Sequence, residues 1–398
     1  MKRKVVKIVL MKYSLPDGRD LFYSPGSLRF WAGPEPDFPE PEYRSTDFHT
    51  LRLEITHQCN GNCDYCIVFG NHVQRYTRLP IQELWAWVER QMWYKQVTDM
   101  FVIGGEPLLA YPDLAYIMER FGGRISLSTN GTLLTDEMAE TFQKRRVLVY
   151  LSLDGSTRSD NVRRRYPDGT EMFDHIQQGL ARLERAGTRK GLFMVASPTT
   201  AGRIGEILTE LSATWSLERI GYSIPHWNEN VPDLISPEQY RDALLELYRR
   251  RRNISAEIIQ LTWRTGVLAE GIAKRFSCGV HTTQKTVLPD QRLVRCGKID
   301  NHPVFSSVTD EELNRGSPLS VAADPDSQCA RCVALGCCGG GCPYDGLCRF
   351  GSIIDRRECV ITPPLIAAAV ADIAAGLGAL PDLADGLVPR ETVKAVLS

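Results

Sequence analysis

The sequence predicts an α/β protein: a partial (β/α)6 barrel of TIM type, followed by a cysteine-rich domain with a small β-hairpin and helices. Two observations lead there. Between residues 51 and about 225, six short apolar runs alternate with stretches of helical periodicity. Twelve cysteines divide into three at 59–66 and nine at 278–359, with none between. Strand–helix units in series imply a parallel sheet through right-handed crossovers, and six units are too few to close an eight-stranded barrel.

Taken in order, residues 1–50 form an N-terminal extension. Its basic start, Lys2-Arg3-Lys4, precedes an apolar patch that Lys7 and Lys12 interrupt, which argues against a secretory signal. The proline-rich run from Pro34 to Pro41 cannot be a helix or a central strand and reads as an extended connector. Strands are expected at 51–56, 98–103, 124–128, 147–153, 191–196 and 219–224. Helices are expected between them at 80–96, 111–120, 135–144, 170–186 and 203–213. In the first helix Ile81, Leu84, Trp85, Val88 and Met92 recur at three- and four-residue steps, so Trp85 belongs to the core. Trp93 reads the same way.

Residues 51–235 thus make the barrel, 236–275 a helical bridge, 276–362 the cysteine-rich domain and 363–398 a helical tail. The Ala-rich run from Leu365 to Leu380 contains Asp372 and reads as a packed helix, short of the ~20 uninterrupted apolar residues of a membrane span. A formal net charge of -1 gives no global attraction for nucleic acid or an acidic membrane, so neither is an expected partner. Twelve cysteines without a signal peptide read as reduced thiols in a cytoplasmic protein, used for metal ligation rather than disulfides.

The first cysteine group, Cys59, Cys63 and Cys66, directly follows the first strand, where loops of such barrels carry chemistry. Three thiolates hold three irons of a four-iron cubane and leave the fourth open for a bound molecule. A bland alternative is three reduced cysteines in a loop, or part of a zinc site. Gly104-Gly105-Glu106-Pro107 ends the second strand, and paired glycines let backbone approach a ligand closely. Ser128-Thr129-Asn130-Gly131 and Ser152-Leu153-Asp154-Gly155 end the third and fourth strands; Asn-Gly and Asp-Gly are also plain turn formers.

The spacing C-x3-C-x2-C, with Tyr65 before the last cysteine and GGEP one strand later, resembles the signature of radical S-adenosylmethionine (SAM) enzymes. The resemblance implies a [4Fe-4S] cluster on Cys59, Cys63 and Cys66 as the catalytic centre. It implies SAM contacts from Gly104, Gly105, Glu106, Asn130, Ser152 and Asp154, and from Arg163 or its neighbour Arg164 as a carboxylate-binding arginine. It implies reductive cleavage of SAM to a 5′-deoxyadenosyl radical that abstracts hydrogen from substrate carbon, with an external one-electron donor of flavodoxin or ferredoxin type.

Cys278, Cys296, Cys329, Cys332, Cys338, Cys342 and Cys359 are similar in spacing to the SPASM domain of radical SAM peptide maturases. That resemblance implies two auxiliary clusters, three in all: one on Cys278, Cys296 and Cys342, the other on Cys329, Cys332, Cys338 and Cys359. Either Cys348 completes the first or that cluster keeps an open iron, and Cys337 would be a buried free thiol. A zinc ribbon is the structural alternative. Two positions depart from the pattern: Gln291 stands where a glycine is usual, and Gly297 where sulfatase-maturing relatives place a basic aspartate, the nearest acid being Asp300.

The implied function is maturation of a ribosomally made precursor peptide by an oxidative crosslink, thioether or carbon–carbon, with a separate leader-binding protein as a further partner. Alternatives are maturation of a folded protein, dehydrogenation of a small molecule, or a non-catalytic zinc-stabilised module. His226, Trp227, Asn228, Glu229 and Asn230 follow the sixth strand and either line the substrate cleft or form a capped loop.

Overall fold

The computed structural model describes residues 10–34, 36–39, 41–44, 47–67, 78–227, 234–278, 283–297, 318–322, 327–380 and 383–397. They fall into two compact units: 46–259 with 279–307, and 1–45 with 260–278 and 308–398.

The first unit is built on a nine-stranded sheet. Its centre is six parallel strands: β4 (Thr50–Glu54), β5 (Asp99–Ile103), β6 (Arg124–Thr129), β7 (Leu148–Ser152), β8 (Lys190–Val195) and β9 (Arg219–Ser223). Each matches a strand expected from the apolar runs. Helices Ile81–Arg90, Tyr111–Arg120, Asp136–Lys144, Phe173–Arg185 and Ile204–Thr214 connect them. Alternation along the strands sorts the side chains: Leu51, Leu53, Val102, Leu127 and Ile220 are fully buried on the helix-facing side. Trp85 is 1% exposed and packs edge-on against Tyr94 and Phe121, as a core residue should. Trp93 packs against Phe48 and Trp87.

The sheet continues past both ends of the expected barrel. A two-residue strand, β10 (Glu257–Ile258), pairs parallel with β9. At the other edge β11 (Gln284–Val287) pairs parallel with β4, and β12 (Leu293–Val294) closes an antiparallel hairpin with it. The hairpin expected in the cysteine-rich domain is therefore an edge of the barrel sheet. Its turn holds Gln291 at φ +72°, the left-handed conformation a glycine would adopt freely. The glycine-type turn survives without the glycine.

In the second unit, β1 (Met11–Ser14), β2 (Asp20–Ser24) and β3 (Arg29–Ala32) form an antiparallel sheet, which β13 (Gly386–Leu387) joins beside β3. The N-terminal extension is thus more than a connector. Leu21 and Tyr23, and Phe30 and Ala32, alternate inward and are buried, a pattern already present in the sequence. Described residues of the proline-rich run carry no helix or strand.

Short helices Leu335–Cys338 and Pro343–Phe350 carry Cys337, Cys338 and Cys348, and one long helix, Glu358–Gly378, follows and carries Cys359. Among the described residues it is the one helix long and apolar enough to cross a membrane, yet Ile361, Leu365, Ile366, Val370, Ile373 and Leu377 are buried in this unit. Arg264 pairs with Glu358 at 2.7 Å, and Arg357 with Asp345 and Asp355 at 3.0 and 2.7 Å, all with side chains under 9% exposed.

Candidate active site

The carboxyl ends of the parallel strands surround a cavity of about 440 Å³. That is large enough for a small organic ligand. Cys59, Cys63 and Cys66 line it, with Gly104 and Gly105 from the end of β5, Asn130 after β6 and Ser152 at the end of β7. Beneath, Phe101, Tyr150 and Phe193 pack together inside the barrel, Tyr150 stacked on Phe193 at 4.3 Å between centroids.

The cysteine loop is fastened to the strand ends at several points. The Asn60 amide donates to Thr132 Oγ1 at 2.9 Å and accepts from Asn130 Nδ2 at 2.8 Å. Asn62 N donates to Arg165 O at 2.7 Å. Tyr65, the aromatic before the last cysteine, donates its hydroxyl to Asp154 Oδ2. Asp154 Oδ1 in turn accepts from Arg164 Nη2 at 2.7 Å and Val195 N at 2.9 Å. Burial pushes the Cys59 thiol up to about 12 and raises Cys63 as well, the latter opposed by the Arg164 cation. Iron takes the thiolate, so binding a cluster here would displace the thiol protons. The donor set, three sulfurs on one loop facing a ligand-sized space, fits a cluster with one open iron.

The paired glycines are required by contact. A Cβ on Gly104 would lie 2.3 Å from Thr56 O, and one on Gly105 2.3 Å from Gln58 O. With side chains excluded, Gly105 N and Glu106 N bond to Thr56 O and Gln58 O, each at 2.8 Å. This seam locks the end of β5 to the approach of the cysteine loop. Glu106 is completely buried, and its carboxylate accepts from Thr129 Oγ1 at 2.6 Å, Asn130 N at 2.7 Å and Leu108 N at 2.9 Å. Burial raises its pKa, and those three bonds oppose the rise. Neither Glu106 nor Asp154 lines the cavity; both brace the residues that do.

Arg163, expected at the cofactor, points elsewhere. It reaches Asp64 at 2.8 Å with its side chain 38% exposed, whereas Arg164 is buried and lines the cavity. His226 lines the cavity, and Asn228, Glu229, Asn230 and Asp300 lie outside the described residues.

Sequence reasoning passed over two residues on β4. Arg52 and Glu54 alternate with the buried Leu51 and Leu53 and face the interior. Charged residues at alternate positions of an otherwise buried strand were the available signal. Glu54 is the only carboxylate lining the cavity among the described residues. It meets His57 Nε2 at 3.0 Å, both side chains being 10% exposed. A Cβ on Gly297 would lie 2.0 Å from Glu54 Oε1, so the glycine leaves the space a carboxylate from the opposite side fills.

In the second unit, burial raises Cys329, Cys332, Cys338 and Cys359, Cys329 to about 11, and negative charge on Cys332 raises each of the other three, which groups the four sulfurs. Cys338 Sγ also accepts from Gly340 N at 3.4 Å. Cys337 is fully buried, as expected of a free thiol. Cys342 and Cys348 flank Tyr344, and Cys278 is exposed. Cys296, from the same expected ligand set as these last three, belongs to the sheet unit. No cysteine forms a disulfide.

An open parallel barrel with three thiols at its carboxyl end defines a class. Residues 53–211 match the Radical SAM superfamily. A Methanosarcina barkeri relative, Fe-coproporphyrin III synthase, is 30% identical over 353 residues, covering 77% of this chain and 86% of its own. The chain belongs to the radical SAM superfamily and is an enzyme of it, which removes the non-catalytic zinc module; its class uses a four-iron cluster and SAM. An Archaeoglobus fulgidus relative is 27% identical over 179 residues, 41% of this chain, and the chain spans only 42% of its length. A solved structure of native anSMEcpe with bound AdoMet and Cp18Cys peptide shares the fold, with a TM-score of 0.62, 16% identity and coverage of 82% of this chain and 99% of the other.

Proposed function

We propose that the chain oxidises a residue of a precursor peptide to form a thioether or carbon–carbon crosslink. The cavity carries the reading: it sets a three-thiol loop, a wall of SAM-sized space and one carboxylate around a common volume. The likeness in fold to anSMEcpe with bound AdoMet and Cp18Cys peptide supports the substrate class. Cys59, Cys63 and Cys66 hold the SAM-binding cluster. Cys329, Cys332, Cys338 and Cys359 hold one auxiliary cluster, and Cys278, Cys296, Cys342 and Cys348 the other. When bound, these centres and SAM supply the 5′-deoxyadenosyl radical and accept the substrate's second electron.

Around them the chain's own residues do three things. Gly104 and Gly105 leave room for the methionyl end of SAM, while Asn130 and Ser152 offer hydrogen bonds to its polar groups. Arg164, fixed by Asp154, presents positive charge beside Cys63 and takes the carboxylate-binding role first given to Arg163. Glu54, held by His57, accepts the proton that the crosslinking heteroatom or carbon sheds, replacing the aspartate absent at Gly297. The external donor is of flavodoxin or ferredoxin type, and a separate protein presents the peptide leader.

The test is anaerobic co-expression with a short peptide encoded beside the gene, read by mass. Loss of two hydrogens from the peptide is the expected result. With Glu54→Gln, release of 5′-deoxyadenosine is retained and the mass loss disappears. An unchanged peptide mass, with or without the leader-binding protein, would sink the crosslinking reading. The likeness to a Fe-coproporphyrin III synthase favours a second reading, a small molecule in the same cavity. Peptide-independent, porphyrin-stimulated 5′-deoxyadenosine release would select it.

A further inference from the structure

We propose that Lys274 is the counter-charge of the four-thiolate centre formed by Cys329, Cys332, Cys338 and Cys359, and that it holds that centre's reduction potential up. The inference rests on the auxiliary-cluster reading above and adds a residue outside every ligand set. Lys274 is 3% exposed, and its Nζ is buried with no hydrogen-bond partner. Its Nζ sits 4.0 Å over the ring of Trp263.

Nearby cations have their own carboxylates. Arg44 pairs with Glu270 at 2.6 Å and Arg264 with Glu358 at 2.7 Å. Among the described residues, Lys274 alone of the three has none. Burial pulls the Lys274 amine down to about 7 while the sulfurs of Cys337 and Cys338 push it back up, so the cation persists at neutral pH where further negative charge is supplied.

The backbone says where. Lys274 N donates to Gly336 O and Ser277 N to Gly339 O, each at 2.8 Å. A Cβ on Gly339 would meet Phe276 C and Ser277 N at 2.5 Å, so the strip 274–277 is pressed against the turn that carries Cys337 and Cys338. Gly339, at φ +65°, permits that approach. A cubane on four thiolates carries a net negative charge of about two that grows by one on reduction. A fixed cation beside it therefore favours the reduced state, and its removal moves the potential to more negative values.

The experiment uses the full chain with Cys59, Cys63 and Cys66 changed to Ala, reconstituted anaerobically so that only auxiliary centres remain. Iron and sulfide content is measured, then the midpoint potentials by dithionite titration monitored by electron paramagnetic resonance. In that background Lys274→Met is expected to keep the iron and shift one of two midpoints to more negative values, leaving the other in place. Lys274→Arg is expected to restore it. Full iron with unchanged midpoints in Lys274→Met overturns the proposal while the cluster reading stands. Loss of iron in both Lys274 variants assigns the residue a structural role and also overturns it. A triple-Ala protein that takes up no iron removes the cluster reading and the inference together.

Discussion

The two thiol regions are built by opposite means. Around Cys59, Cys63 and Cys66, parallel strands come first: β5, β6 and β7 end at one level, and side chains at those ends fasten a loop of eight residues. Around Cys329, Cys332, Cys338 and Cys359 the supports are helices and turns in place of parallel strands. Three consecutive glycines, Gly339, Gly340 and Gly341, take positive φ, and buried ion pairs at Arg264 and Arg357 do the bracing. A scaffold of strands would leave a bound metal partly uncovered for chemistry. Turns and short helices around four sulfurs would instead draw order from a bound cluster, because ligand binding energy becomes folding energy.

The largest expected effect separates the regions outright. Cys59→Ala should reduce 5′-deoxyadenosine release from SAM to background, measured by chromatography after anaerobic reduction. About eight irons per chain should remain if both auxiliary cubanes are intact. Next come the two buried ion pairs, one in each region. Arg164→Met leaves Asp154 as a buried carboxylate, and Arg264→Met does the same to Glu358, each at an expected cost of about 3–5 kcal/mol in chemical denaturation. If the cysteine-rich region draws its order mainly from metal, chelating the iron will enlarge the Arg264→Met effect and leave that of Arg164→Met unchanged.

Smaller effects sharpen the contrast between turn and strand. Gln291→Gly relieves a left-handed residue in the β11–β12 turn and should stabilise the sheet unit by about 1 kcal/mol in the same assay. Arg163→Ala removes only an exposed pair with Asp64 and should change stability by less than about 0.5 kcal/mol, with SAM cleavage intact. A large loss of SAM cleavage there would return Arg163 to the cofactor and displace Arg164.

Much of the sheet unit is legible without coordinates. Leu51 and Leu53 on β4, or Met100 and Val102 on β5, advertise their strands because burial of one face imposes a two-residue period. The two cysteine groups are equally plain, since they stand at 59–66 and 278–359 with none between. What the linear pattern does not carry is direction off a turn. Arg163 and Arg164 are chemically identical neighbours, and only packing sends one to Asp64 at the surface and the other to Asp154 inside. The antiparallel strands β1 to β3 were readable from Leu21, Tyr23, Phe30 and Ala32 but overshadowed by the prolines after them.

By itself, then, the chain's order of residues determined the parallel strands, the thiol groups and the superfamily, because periodic burial and metal spacing are local properties. Tertiary structure alone decided that Glu106 and Asp154 act as braces, that the β11–β12 hairpin extends the barrel, and that Glu54 fills the space Gly297 leaves. Those outcomes depend on which groups from distant segments meet in a buried volume, where each polar atom must find a partner. No short stretch of sequence holds that information.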